Sequence, residues 1–246
     1  MLKFRTTAPS SRPLAIAIAF STLAAAPAAF AGPDWDEGPV DAGNTLATAQ
    51  IISTTGGINT ITGRLNGTAL TGGSDFQDCF LFNIDSPMSF NLTTSPGTGE
   101  SGNFNPMMFL FKLDVRAGVW VAKAVMANND LALGNPQAGL KGDTNDGSGT
   151  TISAPGVYLI AISGFGSQPI NSAGEFIFNQ AFLEPGIFAG PTGLPVANYE
   201  LAGWSSDGST GSYLMTVAGV SGTTVPAPGA MALLAMGGLA FRRRQR

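Results

Sequence analysis

Val157–Ser163 reads VYLIAIS. It carries no charge, and apolar side chains fill both its odd and its even positions. That pattern describes a strand buried on both faces, as expected at the centre of a sandwich. Working outward, Met107–Leu113 (MMFLFKL) and Val119–Met126 (VWVAKAVM) read as a hairpin around Asp114–Gly118. In DFQDCFLFNI, Phe80, Phe82 and Ile84 share one strand face and Leu81 takes the other. Ile58–Leu65 (INTITGRL), Ser89–Thr94 (closed by Pro96-Gly97) and Tyr213–Val217 supply further strands. No amphipathic helix exceeds two turns, and no tandem repeat is visible. The expected fold is all-β: a jelly-roll-like antiparallel β-sandwich with long loops, plus an N-terminal signal helix and a short C-terminal apolar helix. The long connections are Asn128–Thr150 and Gly164–Gly203, and a binding surface is expected there.

The two ends read as sorting segments. Lys3, Arg5 and Arg12 precede an apolar run, Leu14–Ala26, and Ala29-Phe30-Ala31 gives a small-x-small cleavage pattern. Signal peptidase is therefore expected to cut after Ala31 and leave Gly32 as the first mature residue. At the other end stands TTVPAPGAMALLAMGGLAFRRRQR, residues 223–246. Its apolar run Ala230–Phe241 spans roughly 18 Å as a helix, against a hydrocarbon core of about 30 Å. Pro226 and Pro228 prevent its extension, and Arg242, Arg243, Arg244 and Arg246 favour the cytoplasmic side. The expected organisation is a signal peptide (1–31), a secreted β-sandwich domain (32–222) and a sorting tail (223–246).

Between these tags stand five basic and sixteen acidic residues, a net charge of −11. Such a body offers no basic patch for nucleic acid. The chain has one cysteine and no histidine. An internal disulfide, a Ser-His-Asp or Cys-His triad and histidine-ligated zinc are thereby excluded. Cys79 reads as a small core residue. Gly97–Gly102 spells G-x-G-x-x-G, but it leads through Pro106 into a strand, so no helix N-terminus meets a phosphate.

No catalytic residue, metal ligand or cofactor is assigned. Asn128, Asn129, Asp130, Asp143 and Asp146 are the candidate oxygen ligands for Ca²⁺. The competing reading makes them turn residues that satisfy local backbone groups. Glu175, Glu184 and Glu200 are the carboxylates a histidine-free glycosidase would draw on. Trp120 is expected in the core. Trp204, beside a Ser-Ser-Asp-Gly turn, is the candidate glycan contact.

Two resemblances sharpen this picture. The tail, with Val225-Pro226-Ala227-Pro228, an apolar helix and Arg242–Arg244, resembles the bacterial PEP-CTERM sorting signals in their VPAP variant. That implies recognition by an exosortase-like enzyme. The succession DAGNTLATAQ, DCFLFNI, FLFKLD, ANNDLALGN, APGVYLIAISGFG and GSYLMTVAGV resembles secreted pre-peptidase-C-terminal-like domains, planctomycete-like ones in particular. That likeness implies an accessory or adhesive β-sandwich of an exported protein. The expected function is therefore a non-enzymatic cell-surface or extracellular-matrix protein with a structural or adhesive role. A carbohydrate-binding module is the alternative, and a hydrolase the lesser one. The expected partners are the export machinery, signal peptidase, an exosortase-like enzyme, extracellular polysaccharide and, before processing, the membrane through the tail. The expected location is secreted or cell-surface.

Overall fold

The computed structural model describes residues 34–68, 74–97, 104–193 and 198–223. The signal-cleavage residues Ala29, Ala31 and Gly32 lie outside the described residues. So do Val225, Pro226, Ala227 and Pro228 of the sorting motif, and Arg242, Arg243 and Arg244. Among the described residues no helix is long and apolar enough to cross a membrane.

Among the described residues, eight principal strands build the sandwich. They are β1 (Thr60–Leu65), β2 (Gln77–Ile84), β3 (Asn91–Pro96) and β4 (Pro106–Arg116), then β5 (Val119–Asn128), β6 (Gly139–Lys141), β7 (Gly156–Gly164) and β8 (Gly211–Ala218). One sheet runs β1-β8-β3-β6 and the other β2-β7-β4-β5, every neighbour antiparallel. Apart from the β4–β5 hairpin, each connection crosses from one sheet to the other. This is the jelly roll, two Greek keys folded into facing sheets. Short strands close the edges. Trp35–Asp36 pairs parallel with β1, while Gln50–Ile51 (parallel) and Val220–Ser221 (antiparallel) share the free edge of β2.

The hairpin is tighter than expected. β4 and β5 meet at Ala117-Gly118, with φ of 50° and 81°. Left-handed backbone at both turn positions matches the strand twist, which is why glycine stands at the second. The strand β6 was read as loop from sequence. Its three residues carry too short a pattern to show alternation, and its pairing with β3 makes it a strand.

The inner core follows the period of two. Phe80, Phe82 and Ile84 of β2, Met108 and Leu110 of β4, and Tyr158, Ile160 and Ile162 of β7 face Ile61, Leu65, Leu92, Leu140, Met215 and Val217 of the other sheet. A two-layer sandwich, however, leaves the outer face of each sheet to solvent. The six residues Cys79, Leu81, Phe109, Phe111, Leu159 and Ala161 nonetheless lie fully buried on the outer face of the β2-β7-β4-β5 sheet.

The segment Gly164–Gly203 accounts for this. The long connection expected there is a third layer of irregular backbone packed on the sheet. Ile177, Phe178, Phe182 and Ala189 pack onto the outer face. Phe109 sits at the centre, its ring centroid 5.5 Å from Phe178 and 5.7 Å from both Phe182 and Trp204. Backbone bonds stitch this cover to β5: Ala189 N and Ala127 N each donate to the other's carbonyl at 2.9 Å, and Leu201 N donates to Ala122 O at 3.0 Å. VYLIAIS is apolar on both faces because sheet covers one and this segment the other.

Candidate metal centre

The acidic run Asp34–Asp41 is held in place before it reaches the site. Asp34 Oδ2 accepts Asn59 N at 2.5 Å, and Asp36 accepts Gly38 N (2.7 Å) and the Thr62 hydroxyl (3.1 Å). Gln50 fixes the turn behind them. Its Nε2 donates to Glu37 O and Val40 O, and its Oε1 accepts the Trp35 indole N–H at 3.0 Å. The turn thereby presents Glu37 and Asp41 to the start of β2. From the other side, Ser74–Asp75 pairs with Gly67–Thr68, and Phe76 interrupts the ladder before β2 begins. That break lets Asp75 and Asp78, three residues apart, approach one site.

Glu37, Asp41 and Asp75 line a cleft of about 520 Å³, and Asp78 is fully buried against it. Oxygens of Glu37, Asp41 and Asp78 all lie within 4.8 Å of one another. Tyr213, buried, donates its hydroxyl to Asp78 Oδ2 at 2.6 Å. Glu37 accepts Ala42 N and Arg64 N, and Asp75 Oδ2 accepts Asn66 N at 2.8 Å. The other oxygens of three aspartates, Oδ1 of Asp41, Asp75 and Asp78, are buried with no hydrogen-bond partner. An unmet buried acceptor costs about 1–3 kcal/mol, more when charged, so those of Asp41 and Asp78, in one cluster, call for an occupant.

Glycine at position 63 makes the geometry feasible. A Cβ there would stand 2.2 Å from the Tyr213 hydroxyl oxygen and 2.6 Å from Glu37 Oε2.

Electrostatics agree with a site built for positive charge. Burial, then the neighbouring Asp75 and Asp41, pushes Glu37 up to about 7 despite its two backbone donors. Burial, and next the Glu37 charge, raises Asp78 well above the usual carboxylate range, although Tyr213 opposes the shift. Asp41 is raised by burial and by Asp75. Like charges packed this way hold protons unless a cation replaces them. The donor set is all oxygen. Cys79 points into the outer core and its thiol is pushed up by burial, so it offers no soft ligand here. Three clustered carboxylates, with Asp75 in the wall of the same cleft, suit a hard divalent ion, which for Ca²⁺ takes six to eight oxygens.

Of the residues chosen from sequence as Ca²⁺ ligands, Asn128 and Asp146 spend their side chains on hydrogen bonds within the protein. Asp146 accepts Ser148 N (3.0 Å), Ser148 Oγ (2.6 Å) and Gly190 N (2.9 Å). Asn145 exchanges bonds with Gly186 O and Phe188 N. Asn128 donates to Asp130 O and Ile187 O and accepts Gly139 N. Asp143 pairs through its backbone with Thr151. Asn128, Asp146 and the neighbouring Asn145 fasten turns and cover to the sandwich, and among the described residues the five candidates form no carboxylate cluster. Asn129 and Asp130 do each keep one buried, unpartnered Oδ1, and burial raises the Asp130 carboxyl.

Two of the glycosidase carboxylates are held in bonds within the protein, and the third stands at a turn. Glu175 accepts Asn171 Nδ2 at 2.9 Å, Glu200 pairs with Arg116 at 3.0 Å, and Glu184 ends the 3-10 turn Gln180–Leu183. Trp204 is half-buried, its N–H donating to Asn44 O at 2.7 Å and its ring edge-on to Phe109. Its polar handle is committed inside the protein. Sequence reasoning passed over Glu37, Asp41, Asp75 and Asp78. The available signal was density: six of the sixteen acidic residues fall in Asp34–Asp41 and Asp75–Asp78. No protein-family model matches the chain, nor does any curated protein or solved structure.

Proposed function

We propose that the chain is an exported, non-enzymatic protein of the cell surface or extracellular matrix, with a structural or adhesive role, and that Ca²⁺ bound by Glu37, Asp41, Asp75 and Asp78 holds its sandwich together. The observation that carries the cation reading is the meeting of Glu37, Asp41 and Asp78 oxygens within 4.8 Å of one another, while the buried Oδ1 atoms of Asp41 and Asp78 have no hydrogen-bond partner. Bound there, the ion ties the segment ahead of the jelly roll to the start of β2. Extracellular calcium modules work at affinities of roughly 10⁻⁴–10⁻³ M, matched to calcium outside cells. Export rests on the signal-like N-terminus, and sorting rests on the VPAP-type tail with its arginines. The non-enzymatic reading rests on the absence of imidazole from the whole chain and on carboxylates engaged in structural bonds.

Thermal unfolding with Ca²⁺ from 10 μM to 10 mM, against EDTA, tests the cation. The melting temperature rises and saturates for the parent chain, and Asp78→Asn does not respond. A flat titration of the parent removes the proposal. Cell fractionation with N-terminal sequencing tests the rest: recovery outside the cell with Gly32 first supports export, and an intact cytosolic chain defeats it.

A further inference from the structure

The three tryptophans are not equivalent. Trp35 and Trp204 both give their indole N–H to protein acceptors, Gln50 Oε1 and Asn44 O. The Trp120 indole N–H makes no hydrogen bond to the described residues. Trp120 lies instead along a second groove, of about 260 Å³, in the outer face of the β2-β7-β4-β5 sheet. The groove opens where the cover is interrupted, between Thr45–Ala47, Asn171–Ser172 and Glu200–Ala202. Its indole rests on the outer core, which anchors the ring.

Polar groups surround this aromatic wall. Arg116 and Glu200 pair at 3.0 Å, with side-chain exposures of 51% and 22%, so both reach solvent. Ser172 is exposed, and its hydroxyl bonds to no described protein atom. Asn171 behind it is fully used, accepting Ala173 N and Glu175 N while donating to Glu175 Oε2 and Asn198 O. It therefore sets the wall rigidly. Val115, the cross-strand partner of Trp120, is 53% exposed and extends the apolar surface beyond the groove.

We propose that this groove binds one sugar ring of an extracellular saccharide. The ligand chemistry follows from the lining. An anchored indole favours a flat, weakly polar C–H face, and its free N–H favours a hydroxyl at the ring edge. The Arg116–Glu200 pair offers donors and an acceptor side by side, as vicinal hydroxyls require. The volume lies below the range of about 300–1,000 Å³ for drug-sized ligands, which fits a single ring. The site gives the adhesive role a contact and stands apart from the cation cleft.

The test is retention of the full-length chain on immobilised oligosaccharides of glucose, galactose, mannose, N-acetylglucosamine and galacturonate, with affinities read by tryptophan fluorescence. Saturating Ca²⁺ is present throughout, so that failure of the groove and failure of the cation site are told apart. The parent binds at least one glycan with a change in indole emission. Ser172→Trp fills the groove from its exposed rim without touching the core, and weakens binding about tenfold or more. Trp120→Phe keeps the ring, loses the N–H and weakens binding less. Trp204→Phe leaves it unchanged. The proposal is overturned if no glycan retains the parent chain, or if Ser172→Trp binds as tightly as the parent.

Discussion

Two acidic regions of this molecule invite the same label and differ in kind. Asp143-Thr-Asn-Asp-Gly147 looks like a cation loop in sequence, yet Asp146 spends its oxygens on Ser148 and Gly190. Although its partial burial opposes ionisation, those bonds hold its carboxyl below the ordinary range. Glu37, Asp41, Asp75 and Asp78 come from two separate stretches, and three of them retain a buried oxygen with no donor. Burial and mutual repulsion raise the pKa of Glu37, Asp41 and Asp78. A carboxylate already satisfied by N–H groups is a fastener, whereas several clustered carboxylates left short of donors make a place for a cation. Local spacing does not separate the two; hydrogen-bond accounting does.

The sharpest way to break this contrast is Gly63→Ala. The added methyl meets the Tyr213 hydroxyl and Glu37, and we expect about 3 kcal/mol of destabilisation together with loss of the Ca²⁺ response, read by urea unfolding with and without the ion. Next, Asp146→Ala strands two backbone N–H groups and costs about 2 kcal/mol, equally in EDTA and in Ca²⁺. A cost that calcium abolishes would mean the fastener is a cation site after all.

The third expectation concerns pH. Glu37 titrates near 4.5 when unfolded and about 7 when folded, so the folded state holds its proton more tightly. Its contribution is present in full below pH 4.5 and is lost as pH rises through about 7. Metal-free protein should lose stability across that window. Saturating Ca²⁺ should remove the loss, because the ion replaces the proton. Stability in EDTA that climbs from pH 5 to 8 would contradict the cleft's assignment. The smallest effect is Asn145→Ala, about 1 kcal/mol and insensitive to calcium, from its two bonds to the cover.

The strands were readable where the pattern was long. Alternation in FLFNI and the two-sided apolar run VYLIAIS place β2 and β7, and MMFLFKL with VWVAKAVM places the hairpin. Gly139–Lys141 was not readable, because three residues hold no period and its strand character comes from β3 beside it. The packing of the cover was not readable for a related reason. Pro169, Pro185 and Pro191 mark irregular backbone, which sequence rules equate with surface loop, whereas Phe178 and Phe182 anchor that backbone on a sheet. The cation cleft depends on contacts such as Trp35 to Gln50 and Tyr213 to Asp78, the latter spanning 135 residues. Nothing local encodes such a meeting.

The borders of the sheets have a consequence for life at high concentration. The outer rim of β2 carries Gln50–Ile51 and Val220–Ser221, that of β1 carries Trp35–Asp36, and the cover bonds β5 at Ala122, Ala124 and Ala127. Among the described residues, the remaining rim belongs to β6, three residues long. Among the described residues, copies crowded side by side therefore meet only short stretches of open amides, which discourages growth of a shared sheet from one molecule to the next.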